Sequence, residues 1–161
     1  MILTEDDQSV KRLNQFLAFS LEGNRYALRL SVVDKIVRVV EVTPLPKGPE
    51  IVLGIVNVYG IIIPVVNIRK RFGLPERPIH LSDQLIIAHT PSRPVALIVD
   101  AVSGVVERRE QELIAAEKIL PGLEYIEGVV KFKDGMIFIH DLNKFLSLEE
   151  ERALNEAMKK I

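Results

Sequence analysis

Apolar residues along this chain come in short Val- and Ile-rich runs, each broken after a few positions by turn-forming residues. Phe16–Leu30 reads as a hairpin turning at Gly23-Asn24, and Leu85–Val99 as another turning at Pro91-Ser92. Ile51–Phe72 reads as strand, tight turn at Tyr59-Gly60, second strand and a short charged helix. Ile36–Val42 and Val102–Glu107 read as single Val-rich strands. About nine strands at this spacing fit barrels or a sandwich. Pro64 lacks an N–H, which restricts the strand over 61–68 to a sheet edge or a bulge. Residues 1–13 read as a polar, flexible lead-in. The C-terminus changes period. Ser147 and Glu150 fit a capping box, and Leu154, Ala157, Met158 and Ile161 follow helical spacing. Residues 147–161 are therefore expected to form a helix packed on the β structure, with a partner-docking helix as the alternative.

The pattern repeats. Gly128–Phe145 is a fainter copy of Ile51–Phe72 at a shift of 74, with Gly54 against Gly128 and Asn67 against Asp141. Tyr26-Ala27-Leu28 matches Val95-Ala96-Leu97 at a shift of 69. Two copies of one unit predict a duplicated β architecture. The proline-rich stretch 73–82 is the expected seam between them.

The bulk properties narrow the function. The chain has 161 residues, 48% of them hydrophobic, enough for one core or for two small halves sharing one. Its formal charge of −1 lacks the basic face that neutralises phosphates, which argues against a nucleic-acid partner. It contains no cysteine, so neither disulfides nor thiolate chemistry enter. The N-terminus lacks the basic and apolar regions of a signal peptide, and no apolar run approaches the ~18 residues of a spanning helix. A cytoplasmic location without direct membrane insertion is expected.

Catalytic groupings are sparse. His80, His89 and His140 form no metal-ligand spacing, and no cofactor or metal is expected. Asp141 reads as a helix N-cap rather than a partner for His140 in catalysis. Asp100 has no charged neighbour in sequence and reads as a strand-end turn residue. Neither a nucleophile elbow nor a phosphate loop is present, so binding without catalysis is the expected mode. A small β-barrel enzyme is the alternative from another class.

Gly54-Ile-Val-Asn-Val-Tyr-Gly60, Ile62–Arg69 and Leu97–Val102 together resemble the CheW family of chemotaxis coupling proteins, over about residues 15 to 146. The resemblance implies a mostly β fold of two small five-stranded SH3-like barrels sharing a core, here over residues 14–146. It also implies a scaffold linking the cytoplasmic tips of chemoreceptors to the histidine kinase CheA, recruited to membrane receptor arrays. An adaptor in another two-component pathway, for motility or development, is the alternative. A domain detached from a larger kinase is disfavoured by the chain's own start and its capped terminal helix.

The partner surface would then lie near the cleft between the halves, at Val33, Ile36 and Val37 from the first and Leu97 and Val99 from the second. A receptor tip would dock there as a helix in a groove. At the hairpin tip the family usually has Asn-Leu-Arg-Gly, whereas this chain has Asn57-Val58-Tyr59-Gly60. Tyr59 is expected to be exposed and to face a partner, without arginine's charge and fixed donors. Asn67 stands where an aspartate is common, and Lys70 and Arg71 read as solvated helix charges.

Overall fold

The computed structural model describes residues 13–115, 125–132 and 135–161. Of the lead-in, only Leu13 lies within them, and it opens the first strand. The strands are β1 (Leu13–Leu21), β2 (Asn24–Arg29), β3 (Val33–Arg38), β4 (Val52–Val58), β5 (Ile61–Val66), β6 (Gln84–His89), β7 (Pro94–Val99), β8 (Ala101–Arg109), β9 (Ile114–Ala115), β10 (Ile126–Phe132) and β11 (Gly135–His140). Among the described residues two α-helices accompany them, α1 (Ile68–Arg71) and α2 (Leu148–Met158).

One sheet runs β8-β1-β2-β11-β10-β9 and the other β3-β6-β7-β5-β4. The two orders are the same pattern. In each, an antiparallel hairpin is flanked on one side by a single strand and on the other, through a short parallel pairing, by a second hairpin. Ile139 pairs with Ala27 in the first sheet, and Val65 with Ala96 in the second. These are the same two positions at the sequence shifts of 74 and 69. The bulge between Val52 and Gly54 recurs between Ile126 and Gly128. The N–H of Asn67 donates to the Ile51 carbonyl, and that of Asp141 to the Tyr125 carbonyl. Both sheets curl back on themselves. Beyond β3 the chain returns to bridge Thr43 to Ile55 on β4, and beyond β8 the short β9 pairs with β10.

The duplication therefore stands, but the barrels do not part at 73–82. That segment joins β5 to β6 inside one sheet. Each barrel takes its opening hairpin from one repeat and its remaining strands from the other. The barrel of β3–β7 is continuous in sequence, whereas the other is built from 13–29 and 101–140 around it.

This exchange builds the shared core. Phe16 and Ala27 point into the first barrel with Val130, Ile137 and Ile139. Leu85, Ile87 and Ala96 point into the second with Val56, Val58, Ile63 and Val65. The alternate residues of both exchanged hairpins, among them Leu17, Phe19, Leu28, Ile86, Ala88 and Leu97, meet between the barrels. Period-two alternation thus gives each hairpin two buried faces.

Several local expectations are corrected. The first turn is Glu22-Gly23, because Asn24 already pairs with Leu21 in the ladder. Pro64 lies in an interior strand. It is tolerated because β5 meets β7 only at Val65 and Val66, and because Ile55 opposite Pro64 spends its own N–H and carbonyl on Thr43. Helix α2 starts at the Ser147–Glu150 capping box as expected and buries Leu154 and Ala157. It ends at Met158, however, and Ile161 beyond it is 61% exposed. Arg71 is no free solvated charge. Its guanidinium grips both carboxylate oxygens of Glu150 on α2, at 2.7 and 2.6 Å.

Candidate functional site

The bulge between Val33 and Lys35 decides what β3 presents. In a regular strand, residues 33 and 36 would face opposite ways. Here Val33 pairs with Ala88 and Ile36 with Ile86, both in the shared core, so both side chains lie on the face of the sheet turned to that core. Val33 packs half-buried against that core, while Ile36 remains 38% exposed at the sheet edge. Val37 pairs with Leu85 and turns toward the interior of its own barrel.

Leu97 and Val99 are corrected as contact residues. Both are 0% exposed. Ile36, Ile86, Leu97 and Val66 form one cross-strand row, which runs from the exposed edge into the core. Alternation identifies the face these residues share but not how far each lies from the edge.

Tyr59 occupies the tip of the β4–β5 hairpin. Tyr59 and Gly60 have φ of 51° and 85°, the two-residue turn whose twist matches a hairpin. Asn57 Oδ1 accepts from the Gly60 N–H at 2.8 Å and closes it. The Tyr59 ring is 84% exposed, and Lys35 Nζ from β3 lies 4.9 Å from its centroid. Lys35 pairs with Ile87 of the barrel-interior set. Tyr59 and Lys35 thus meet at the hairpin tip, on the other face of β3 from Val33 and Ile36. The expected site residues divide between two surfaces, with Val37 turned into its own barrel and Leu97 and Val99 buried, rather than forming one patch.

A charged network that sequence reading missed ties three segments together. Arg69 on α1 donates to Glu22 in the first turn, to Asp100 at 2.6 Å and to the Pro75 carbonyl at 3.0 Å. Arg77 holds Asp83 by two bonds, at 2.9 and 2.7 Å, and also reaches Asp100 at 2.6 Å. Asp100 therefore has two arginine partners, distant in sequence, rather than a simple turn role. Burial raises the carboxyls of Asp83 and Asp100, but the guanidiniums and the N–H groups of His80 and Glu22 outweigh it and hold both below the usual carboxylate range. Beside the network lies a groove of about 420 Å³, walled by Leu53, Ile68, Ile79 and Ile98 with Asn67 and Glu76 bonded across it. The available signal was Arg77 and Asp83 bracketing a proline-rich turn, a spacing that says nothing about Arg69 or Asp100.

His140 is buried in an aromatic cluster, stacked on Phe72 at 4.1 Å with Tyr26, Tyr125 and Phe145 around it. Burial pushes its pKa down to about 3, so the ring is neutral. Asp141 caps the following turn by accepting from the Asn143 N–H, as its position predicted. Among the described residues no group of His, Asp and Glu is placed to hold a metal ion, and no helix is long and apolar enough to cross a membrane. Two exposed surfaces are suited to contact: the apolar sheet edge at Ile36 and the aromatic, cationic hairpin tip at Tyr59 and Lys35.

Comparison with known proteins agrees with this anatomy. Residues 15–150 match the CheW-like domain family. The chemotaxis protein CheW of Treponema pallidum (strain Nichols) is 29% identical over 146 residues, covering 87% of this chain and 86% of that protein. The chemotaxis protein CheW of Bacillus subtilis (strain 168) is 28% identical over 146 residues, covering 89% and 94%. The crystal structure of the scaffolding protein TtCheW from Thermoanaerobacter tengcongensis superposes with a TM-score of 0.78 at 31% identity, over 86% of this chain and 96% of that one.

Proposed function

Because this chain belongs to the CheW-like family of chemotaxis coupling and scaffolding proteins, we propose that it acts without catalysis, in the cytoplasm, by holding the tips of chemoreceptors to a CheA-type histidine kinase in a receptor array. The observation that carries this reading is the family match over residues 15–150, joined to a two-barrel frame with separate exposed surfaces. A coupling protein needs two surfaces that can be filled at once. The apolar sheet edge around Ile36 suits the apolar face of a helical receptor tip, and the hairpin tip around Tyr59 suits a second partner.

Calorimetry with a receptor-tip fragment and with the kinase regulatory domain from the same genome tests this. Each should bind, singly at about micromolar strength, with avidity in the array supplying the rest. Ile36→Glu should abolish receptor-tip binding and leave the melting temperature and kinase binding nearly unchanged, because its side chain stands at the exposed end of the row. Absence of binding to both partners removes the coupling reading. The tyrosine at the tip favours one variant of this role, an adaptor in another two-component pathway. In that case the protein would bind that pathway's kinase and ignore the chemotaxis one.

A further inference from the structure

We propose that the groove beside the Arg69–Asp100–Arg77 network is a docking site for a segment of a partner protein in which an apolar side chain stands next to a lysine or arginine. This site is separate from the coupling surfaces. It lies at the opposite end of the β4–β5 hairpin from Tyr59, and neither Val33 nor Ile36 lines it.

The two repeats differ at this place. In the first barrel Glu127 is the extra residue of the β10 bulge, and its carboxylate accepts from Arg29 Nε on β2 at 2.6 Å. The same guanidinium lies over the Phe16 ring, 5.5 Å from its centroid. An ion pair therefore covers that position. At the repeat shifts of 74 and 69, the matching residues of the second barrel are Leu53, the extra residue of the β4 bulge, and Ile98 on β7. Both are apolar, and nothing in the chain covers them. With Ile68 and Ile79 they wall the groove of about 420 Å³, a volume within the range of ligand sites. A bulge re-aims the side chain it releases. Leu53 is left 41% exposed, and Ile79 across from it 44%. The wall is also built in advance. Asp83 grips Arg77 with both carboxylate oxygens, Glu76 is tied to Asn67, and Pro75 and Pro78 stiffen the segment between. Docking therefore costs little ordering.

Charge selects the occupant. In and behind the groove stand two guanidiniums, Arg69 and Arg77, and four carboxylates, Glu22, Glu76, Asp83 and Asp100. Both guanidiniums spend their terminal nitrogens on Glu22, Asp83, Asp100 and the carbonyls of Pro75 and Pro78. An anionic ligand would have to displace a carboxylate from them. Glu76 is the carboxylate left over: it accepts from the Asn67 amide, and among the described residues no cation pairs with it. The next cation on α1, Lys70, is held by Glu50. A cation arriving beside an apolar group would meet Glu76 as that group displaces water from Leu53 and Ile79, which strengthens the attraction. Leu81, two residues past Ile79, is 96% exposed, so apolar surface continues beyond the groove. That extent suits a protein segment better than a small amine.

The test follows the methyl NMR signals of Leu53, Ile68, Ile79 and Ile98 in the full chain as capped Gly-Lys-Leu-Leu-Lys-Gly, capped Gly-Glu-Leu-Leu-Glu-Gly or isoamylammonium is added. The basic peptide should shift these signals saturably at about millimolar strength or tighter. The acidic peptide should bind about tenfold more weakly or not at all. Glu76→Gln should bring the two peptides within about threefold of each other, and Ile79→Ser and Leu53→Ser, both at exposed side chains, should each weaken the basic peptide about fivefold or more. Calorimetry with the kinase regulatory domain and with a receptor tip should give the same affinities, within about twofold, for these variants as for the wild type. No saturable shift from the basic peptide, or equal affinity for the acidic one in the wild type, overturns the site. Isoamylammonium binding as tightly as the basic peptide assigns the groove to a free amine and overturns the protein partner. Loss of kinase or receptor binding in Ile79→Ser merges the groove with the coupling surfaces and overturns a separate site. A wild type that takes the basic peptide but neither partner overturns the coupling reading and supports the groove.

Discussion

Gly54 shows what a single missing side chain does here. A Cβ at this position would stand 2.3 Å from the Thr43 carbonyl oxygen, which is backbone held in the bridge to Ile55. Gly54→Ala should therefore cost about 1–3 kcal/mol, seen as a lower denaturation midpoint at unchanged slope. The same change at Gly128, facing the Ile114 carbonyl at 2.9 Å, should act in the same sense. Alignment of the two glycines across the repeats made this pair visible in the sequence, although not the strand each one admits. Gly60 was equally legible, because a tight hairpin needs left-handed backbone. Tyr59's own left-handed φ was not, since nothing in a tyrosine announces it. Arg69 and Asp100 were the least legible. The charged and N–H partners they hold lie 23 to 78 positions away in the chain, and only the folded topology brings them together.

At the scale of elements, α2 is the clearest case of local chemistry deciding a boundary. The Ser147 hydroxyl accepts from the Glu150 N–H at 3.1 Å while the Glu150 carboxylate accepts from the Ser147 N–H at 2.7 Å. That same carboxylate binds Arg71, so the cap also fastens the helix to α1. Burial raises the Glu150 carboxyl, but the Ser147 N–H and Arg71 bring it below the usual range. Leu154 is fully part of the shared core, so Leu154→Ala should cost about 2–5 kcal/mol by chemical denaturation. A helix merely resting on the surface for a later partner would lose far less. The capping box and the apolar spacing disclosed α2 in advance. They overran its end because Ile161 continues the period past Met158, where the α-helix gives way to a tighter turn. Pro64 misled in the opposite way: the no-donor rule is sound, but an interior strand can leave one N–H position unused where its pairing is only two residues long.

Over the whole molecule, acidity should be the sensitive variable. His140 is neutral in the fold with a pKa of about 3, against an ordinary value of 6.5. As pH falls through 6.5 the unfolded chain takes up this proton first, so stability is complete above that value and declines toward pH 3. Between pH 6.5 and about 4 the loss should reach about 3 kcal/mol. Asp83, Asp100 and Glu150, all held low, add a steeper fall below the ordinary carboxylate range. His140→Phe should remove the first slope and keep the second, as read from melting temperature against pH; an unchanged first slope would show that another group drives it. The sequence disclosed the two-barrel class through its repeats and its resemblance, and it disclosed that two halves share a core. It could not disclose which hairpin belongs to which barrel, because both hairpins carry the same two-faced pattern and fit either partner. That exchange has a consequence in time. As the chain leaves the ribosome, the hairpin 13–29 precedes both its sheet neighbours, gaining β8 only when residue 109 has been made and β11 only at residue 140. The barrel of residues 33–99 can close meanwhile. The hairpin made before the continuous barrel thus completes its own sheet after that barrel has closed, and the face it turns into its own barrel stays uncovered until residue 140 has been made.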